Sequence, residues 1–97
     1  MKTYVLNVSS SSVRSIERAI AILKCFTTQE FDLSLGEVSA RTNLAKSTTH
    51  RIIGTLLAEN MVEQDESTGK YRLSHEMIRM GNIASESMDI RKLVSLL

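Results

Sequence analysis

Ninety-seven residues, 42% of them apolar and 24% charged, are enough for one small domain and exclude a disordered polar chain. A formal net charge of +1 excludes a general polycation, so any affinity for nucleic acid has to come from local charge. A single cysteine, Cys25, excludes an internal disulfide and fits a reducing cytoplasm, and no apolar run approaches the roughly 20 residues of a membrane span.

Two Phe, two Tyr, no Trp and no Pro predict an aliphatic, mostly helical core. Residues 1–12 hold the run Ser9–Ser12 and no helical stripe, and are expected to form a flexible arm. Tyr4-Val5-Leu6 is too short for the core of a signal peptide.

The first helix is predicted from Ser15 to about Thr27, with Ser12 or Ser15 as its cap. Ile16, Ala19, Ile20 and Leu23, followed by Phe26 or Thr27, are expected to form its core stripe. Ala21, Ile22 and Cys25 widen that stripe, either for a second partner or as a broad core face. Cys25 reads as a small apolar filler rather than a reactive thiol. Residues 28–33 form a loop in which Phe31 and Leu33 are expected to be anchors. Leu33-Ser34 is expected to pair as a short strand with a later hairpin.

Ser34 stands three residues before Glu37, the spacing of a capping box, and starts a second helix. Thr42-Asn43 ends it, because Asn tolerates the left-handed backbone of a helix stop. Leu44 follows as the apolar plug of the turn. A third helix starts near Ala45 or Lys46. Spacings of three and four place Thr49, Ile52, Ile53 and Leu56 on one stripe. The opposite face carries Lys46, Ser47, Thr48, His50, Arg51, Gly54 and Thr55. From Val38 to Ala58 there is no Asp or Glu, whereas Arg41, Lys46 and Arg51 are positive. Such a face can sit against phosphates, and its Ser, Thr, His and Arg side chains can bond to base edges in a major groove. It is also compatible with an ordinary solvated helical hairpin.

Val62-Glu63-Gln64 and Tyr71-Arg72-Leu73 alternate like strands around the polar turn Asp65–Lys70. A helix-turn-helix followed by a hairpin is the winged helix-turn-helix pattern. The predicted fold is therefore mainly α with a small β-hairpin, its domain spanning residues 13–74. After it, Ser74 offers a cap for a helix with Met77, Met80, Gly81 and Ala84 on one stripe. Met88, Ile90, Leu93, Val94 and Leu97 continue the apolar pattern past Asp89, itself a further cap. Residues 75–97 are expected to form a helical linker or an exposed tail.

The runs Val13–Leu23, Ser47–Ile53 and Gly69–Leu73 resemble the N-terminal domain of IclR-type bacterial transcription regulators. The resemblance runs from about Val13 to the C-terminus. It implies a winged helix-turn-helix, a homodimer and a double-stranded DNA operator, with a small-molecule effector acting only through a C-terminal domain that this chain lacks. The chain is accordingly expected to be either a DNA-binding fragment of a longer regulator or a naturally short protein. Ala45 departs from the family, which usually has a capping Ser or a Pro there. The recognition helix is therefore expected to start less rigidly, or one residue later with Ser47 as cap.

The DNA-contact set is Lys46, Ser47, Thr48, His50, Arg51, Thr55 and, on the wing, Lys70. Arg51 is a candidate for a bidentate guanine contact or a phosphate clamp, and Arg14 and Arg41 are secondary. His50 and His75 lack companions at metal-ligand spacing, and neither a nucleophile triad nor a phosphate loop stands out. No cofactor, metal or enzymatic activity is therefore expected. The competing function is a winged-helix module that binds protein through the broad first helix and the methionines from Met77 to Met88.

Overall fold

A computed structural model describes residues 12–88. The expected arm over 1–12, apart from Ser12, and the apolar continuation past Asp89 lie outside the described residues. Four helices and a hairpin follow in order: α1 Arg14–Lys24, α2 Leu35–Thr42, α3 Lys46–Ala58, β1 Val62–Gln64, β2 Tyr71–Leu73 and α4 Glu76–Ser87. This is the winged helix-turn-helix expected from the sequence.

The caps set the boundaries of α2. Glu37 N–H donates to Ser34 Oγ at 3.1 Å, and Ser34 N–H donates to Glu37 Oε1 at 2.8 Å. Asn43, at φ 57°, terminates the helix in the left-handed region. The turn is tied by Ser39 Oγ, which donates to the Leu44 carbonyl at 2.5 Å. Asn60 repeats the device after α3. At φ 62° it lets Met61 N–H donate to the Leu56 carbonyl at 2.8 Å and its own N–H donate to Leu57 at 3.1 Å. That bond pair turns the chain directly from α3 into β1.

The strands pair antiparallel, with Val62 opposite Leu73, Glu63 opposite Arg72 and Gln64 opposite Tyr71. Leu33 forms a bridge to Tyr71, as expected of the Leu33-Ser34 segment. The core holds Ile22, Leu33, Val38, Ile53, Leu56, Val62 and Tyr71, so every element through β2 except the turns contributes to one cluster. α3 is central: it packs against α1, α2 and β1.

Several expectations fail. α1 ends at Lys24, short of Thr27, and its N-cap is Val13, with no side-chain bond. Ser12 instead donates to Glu17. The helix buries Ile22, which the sequence placed on the margin of the stripe, and leaves Ile16 57% and Ile20 45% exposed. Phe31, an expected anchor, is 61% exposed, whereas Leu33 is 1% exposed. The bridge to Tyr71 holds Leu33 inward, whereas Phe31 lies in the irregular segment before it and has no strand partner among the described residues. Ser74 is not the formal N-cap of α4, which is His75, but its hydroxyl still accepts from Glu76 N–H at 3.2 Å. α4 has no fully buried residue: Met77 of the expected stripe is half-buried, and Met80, Gly81 and Ala84 are exposed.

Candidate nucleic-acid interface

α3 is oriented by its buried side. Thr49 is fully buried, Ile53 and Leu56 nearly so, and Ile52 and Leu57 pack partly against the core. A helix turning about 100° per residue then presents Ser47, His50, Arg51, Gly54 and Thr55 outward. Lys46, Ser47, His50, Arg51 and Thr55 are all exposed, and Thr48 is half-buried at the edge of the apolar stripe.

The helix starts at Lys46 with Ala45 as its N-cap and no side-chain cap. Ser47 lies inside the first turn, so the shifted start does not occur. Thr49 holds this end instead, its hydroxyl donating to the Ala45 carbonyl at 2.9 Å. Lys46 lies over α2 at Gly36. A Cβ placed on Gly36 would stand 3.6 Å from Lys46 Cε and 3.8 Å from Nζ. The missing side chain thus brings the ammonium close to the first turn of α2.

Gly54 is exposed in the interior of α3, and a Cβ built there would meet nothing within 4 Å. Glycine at such a position costs about 1 kcal/mol relative to Ala. No neighbouring atom among the described residues requires it.

The wing tip is organised by one carboxylate. Asp65 Oδ1 accepts from Ser67 N–H at 2.8 Å, Ser67 Oγ at 2.7 Å and Thr68 N–H at 3.2 Å. These bonds, the Ser67 hydroxyl first, hold its pKa below the usual carboxylate range, with a further contribution from Arg72. Gly69 takes φ 77°, and Gln64 Nε2 donates to its carbonyl at 3.0 Å. Lys70 follows at the exposed base of this turn. Beyond a polar turn with a glycine, the sequence carries a signal for this staple: Asp65 stands two and three residues before Ser67 and Thr68, the pattern of an Asx turn.

Charge pairing separates the cations. Among the described residues, Lys46, Arg51 and Lys70 have no carboxylate within 4 Å. Arg41 does: it pairs with Glu30 and donates to the Cys25 carbonyl at 3.4 Å. Its guanidinium ties α2 to the loop after α1. Arg72 stands among Glu63 at 3.3 Å, Asp65 at 3.7 Å and Asp32 at 3.9 Å. The free cations are therefore those of α3 and the wing base, together with Arg14, Arg18 and Lys24 of α1. Cys25 is half-buried, and burial pushes its thiol pKa up, away from a reactive thiolate. No group of three His, Cys, Asp or Glu side chains among the described residues could hold a metal ion.

A helix-turn-helix whose second helix carries unpaired cations outward, joined to a stapled wing, defines the winged helix-turn-helix class of DNA-binding domain. The model of the IclR helix-turn-helix domain matches residues 15–66. The glycerol operon regulatory protein of Streptomyces coelicolor is 36% identical over 80 residues, covering 82% of this chain and 32% of that protein. The HTH-type transcriptional regulator XynR of Escherichia coli is 35% identical over the same coverage. Among solved structures, an IclR family transcriptional regulator from Brucella abortus superposes with a TM-score of 0.75 at 31% identity, covering 86% of this chain and 32% of that one. Pseudomonas aeruginosa HmgR gives a TM-score of 0.72 at 35% identity, with 82% and 33% covered. The chain belongs to the IclR family of transcription regulators and is a DNA-binding domain of that kind rather than an enzyme. It spans about a third of the length of the curated relatives it matches.

Proposed function

We propose that this domain reads a double-stranded operator with α3 in the major groove and the wing on the backbone or in the minor groove. Ser47, Thr48, His50 and Arg51 face base edges, Lys46 and Thr55 lie nearer the phosphates, and Lys70 contacts the backbone beside the wing. The observation that carries this reading is the exposed placement of Lys46 and Arg51 on α3 and of Lys70 beside the wing, none of them in an ion pair among the described residues. Arg41 and Arg72 are paired with carboxylates, whereas these three cations have no carboxylate within 4 Å among the described residues. Unpaired cations around a helix that fits the groove are what phosphate and base contacts require.

The regulator acts as a homodimer in the cytoplasm, on an operator with two related half-sites. Any small-molecule effector acts through a domain other than this one. No helix among the described residues is long and apolar enough to cross a membrane.

The test is selection of this chain from a random duplex pool, followed by anisotropy of the winning duplex across a salt series. An enriched inverted repeat bound with a steep salt dependence is the expected result. Enrichment of single half-sites refutes dimerisation by this chain alone. Sequence-indifferent binding refutes operator recognition and favours the protein-binding module.

A further inference from the structure

We propose that Gly54 marks the point where the sugar–phosphate wall of the major groove passes over α3, and that the missing side chain lets the helix seat deeply enough for Ser47 and Arg51 to reach base edges. The inference rests on the DNA-binding mode proposed above and assigns one further residue to it, with a role in positioning rather than contact chemistry.

Three observations lead there. Gly54 is the ninth of the thirteen residues of α3, so neither a cap nor a helix stop calls for glycine. The space outside it is open within the domain, so internal packing does not call for it either. Its direction is that of the reading residues. At about 100° per residue it lies about 20° in azimuth from Ser47 and about 60° from Arg51. The buried Thr49 and Leu56 lie on the opposite side, about 140° and about 160° away, and the buried Ile53 about 100° away on the flank.

The geometry of the duplex supplies the reason. A helix with its side chains measures about 10–12 Å across, and the major groove is about 12 Å wide. The fit leaves little room on either side. Gly54 lies about 10 Å further along the axis than Ser47. A helix that inserts its first turns must pass a groove wall over such a length. Glycine is the residue that allows a backbone to approach a ligand closely.

The expectation separates stability from binding. In the full chain, Gly54→Ala removes an exposed helix glycine, so its melting temperature rises. Its affinity for the duplex selected by the wild-type chain falls, by about tenfold, the scale of one mismatched base pair. Binding to a scrambled duplex stays unchanged, because there the helix is not seated. The salt slope also stays unchanged, because no charge is removed. Gly54→Val, which brings a larger side chain to the wall, weakens specific binding further.

A more stable Gly54→Ala variant that binds the selected duplex as tightly as wild type overturns the proposal. So does a lower melting temperature, which shows that the glycine serves the fold. If the wild-type chain itself selects no duplex, the DNA-binding mode fails first and the role of Gly54 with it. That outcome is read on a different protein from the other two.

Discussion

Leu33 and Tyr71 exchange both backbone hydrogen bonds: Leu33 N–H donates to the Tyr71 carbonyl at 2.9 Å, and Tyr71 N–H donates to the Leu33 carbonyl at 2.7 Å. A two-stranded hairpin is marginal by itself in water, and this third partner gives the wing its connection to the helical body. The Leu33 side chain at the bridge is 1% exposed. Leu33→Ala is therefore expected to lower stability by about 2–5 kcal/mol, through lost burial and the cavity left behind. A urea titration monitored by circular dichroism measures it, and a change below about 1 kcal/mol would contradict the central place given to this residue.

Arg51 and Lys70 are expected to fail differently. If Arg51 reads a base, Arg51→Ala weakens binding to the selected duplex by roughly 1–3 kcal/mol and relaxes preference at one position. If it clamps a phosphate, the loss is similar on every sequence. Lys70→Ala weakens specific and nonspecific binding alike and reduces the salt slope by about one. Anisotropy on selected and scrambled duplexes at several salt concentrations distinguishes these patterns. A base-specific loss in Lys70→Ala would remove it from the backbone contacts.

Arg41, placed among the secondary DNA contacts by the sequence, has its charge satisfied by Glu30. Arg41→Ala is expected to leave the salt slope of operator binding unchanged and to lower the melting temperature slightly, since exposed ion pairs contribute little. Glu30→Ala gives the same thermal effect without approaching DNA. A salt slope that drops in Arg41→Ala would show that the guanidinium leaves Glu30 for a phosphate.

Three carboxylates among the described residues lie below their ordinary pKa, Glu37, Asp65 and Glu76, the last held down first by its hydrogen bond from Arg79. Glu37 is held below its ordinary pKa first by the Ser34 backbone N–H, then by the Ser34 hydroxyl, Lys70 and Arg41. Asp65 is held down by Ser67 and Thr68. A carboxylate with a lowered native pKa stabilises the fold above its unfolded pKa and loses that contribution as pH falls through the native value. Stability should therefore be level above about pH 5 and decline below about pH 4. Glu37→Gln and Asp65→Asn flatten that decline. A wild-type stability that does not change between pH 5 and pH 3 would contradict it.

Local chemistry was what the sequence revealed best. The Ser34–Glu37 box, the stop at Asn43, both strands and the Thr49–Leu56 stripe depend on neighbours within a few residues, and each stands where its spacing placed it. α1 failed because apolar residues lie on more than one of its faces. Ala19 and Leu23 of the expected stripe do pack against the core, but Ile22 rather than Ile16 and Ile20 completes the buried face. The Arg41–Glu30 pair was not legible because the two residues are 11 apart, with Glu30 in a loop, beyond any helical spacing. Phe31 failed because it lies in an irregular loop, where no helical or strand period ties its side chain to that of Leu33. The outward side of α3 was legible, but the half-burial of Thr48 was not, since Thr48 borders the stripe and faces neither way fully.

The lack of burial along α4 has a thermodynamic consequence. Twelve residues are about the length at which an isolated helix is marginal in water. Ile78 is 65% exposed and Ile83 57%, so little apolar surface offsets the entropy of ordering them. The amide protons of α4 should exchange with solvent through local opening, while those of α3 exchange only through events approaching global unfolding. One chain therefore carries a cooperative body and a helix near its own helix–coil midpoint. Any surface that covers Ile78 and Ile83 would shift that midpoint without altering how the body folds.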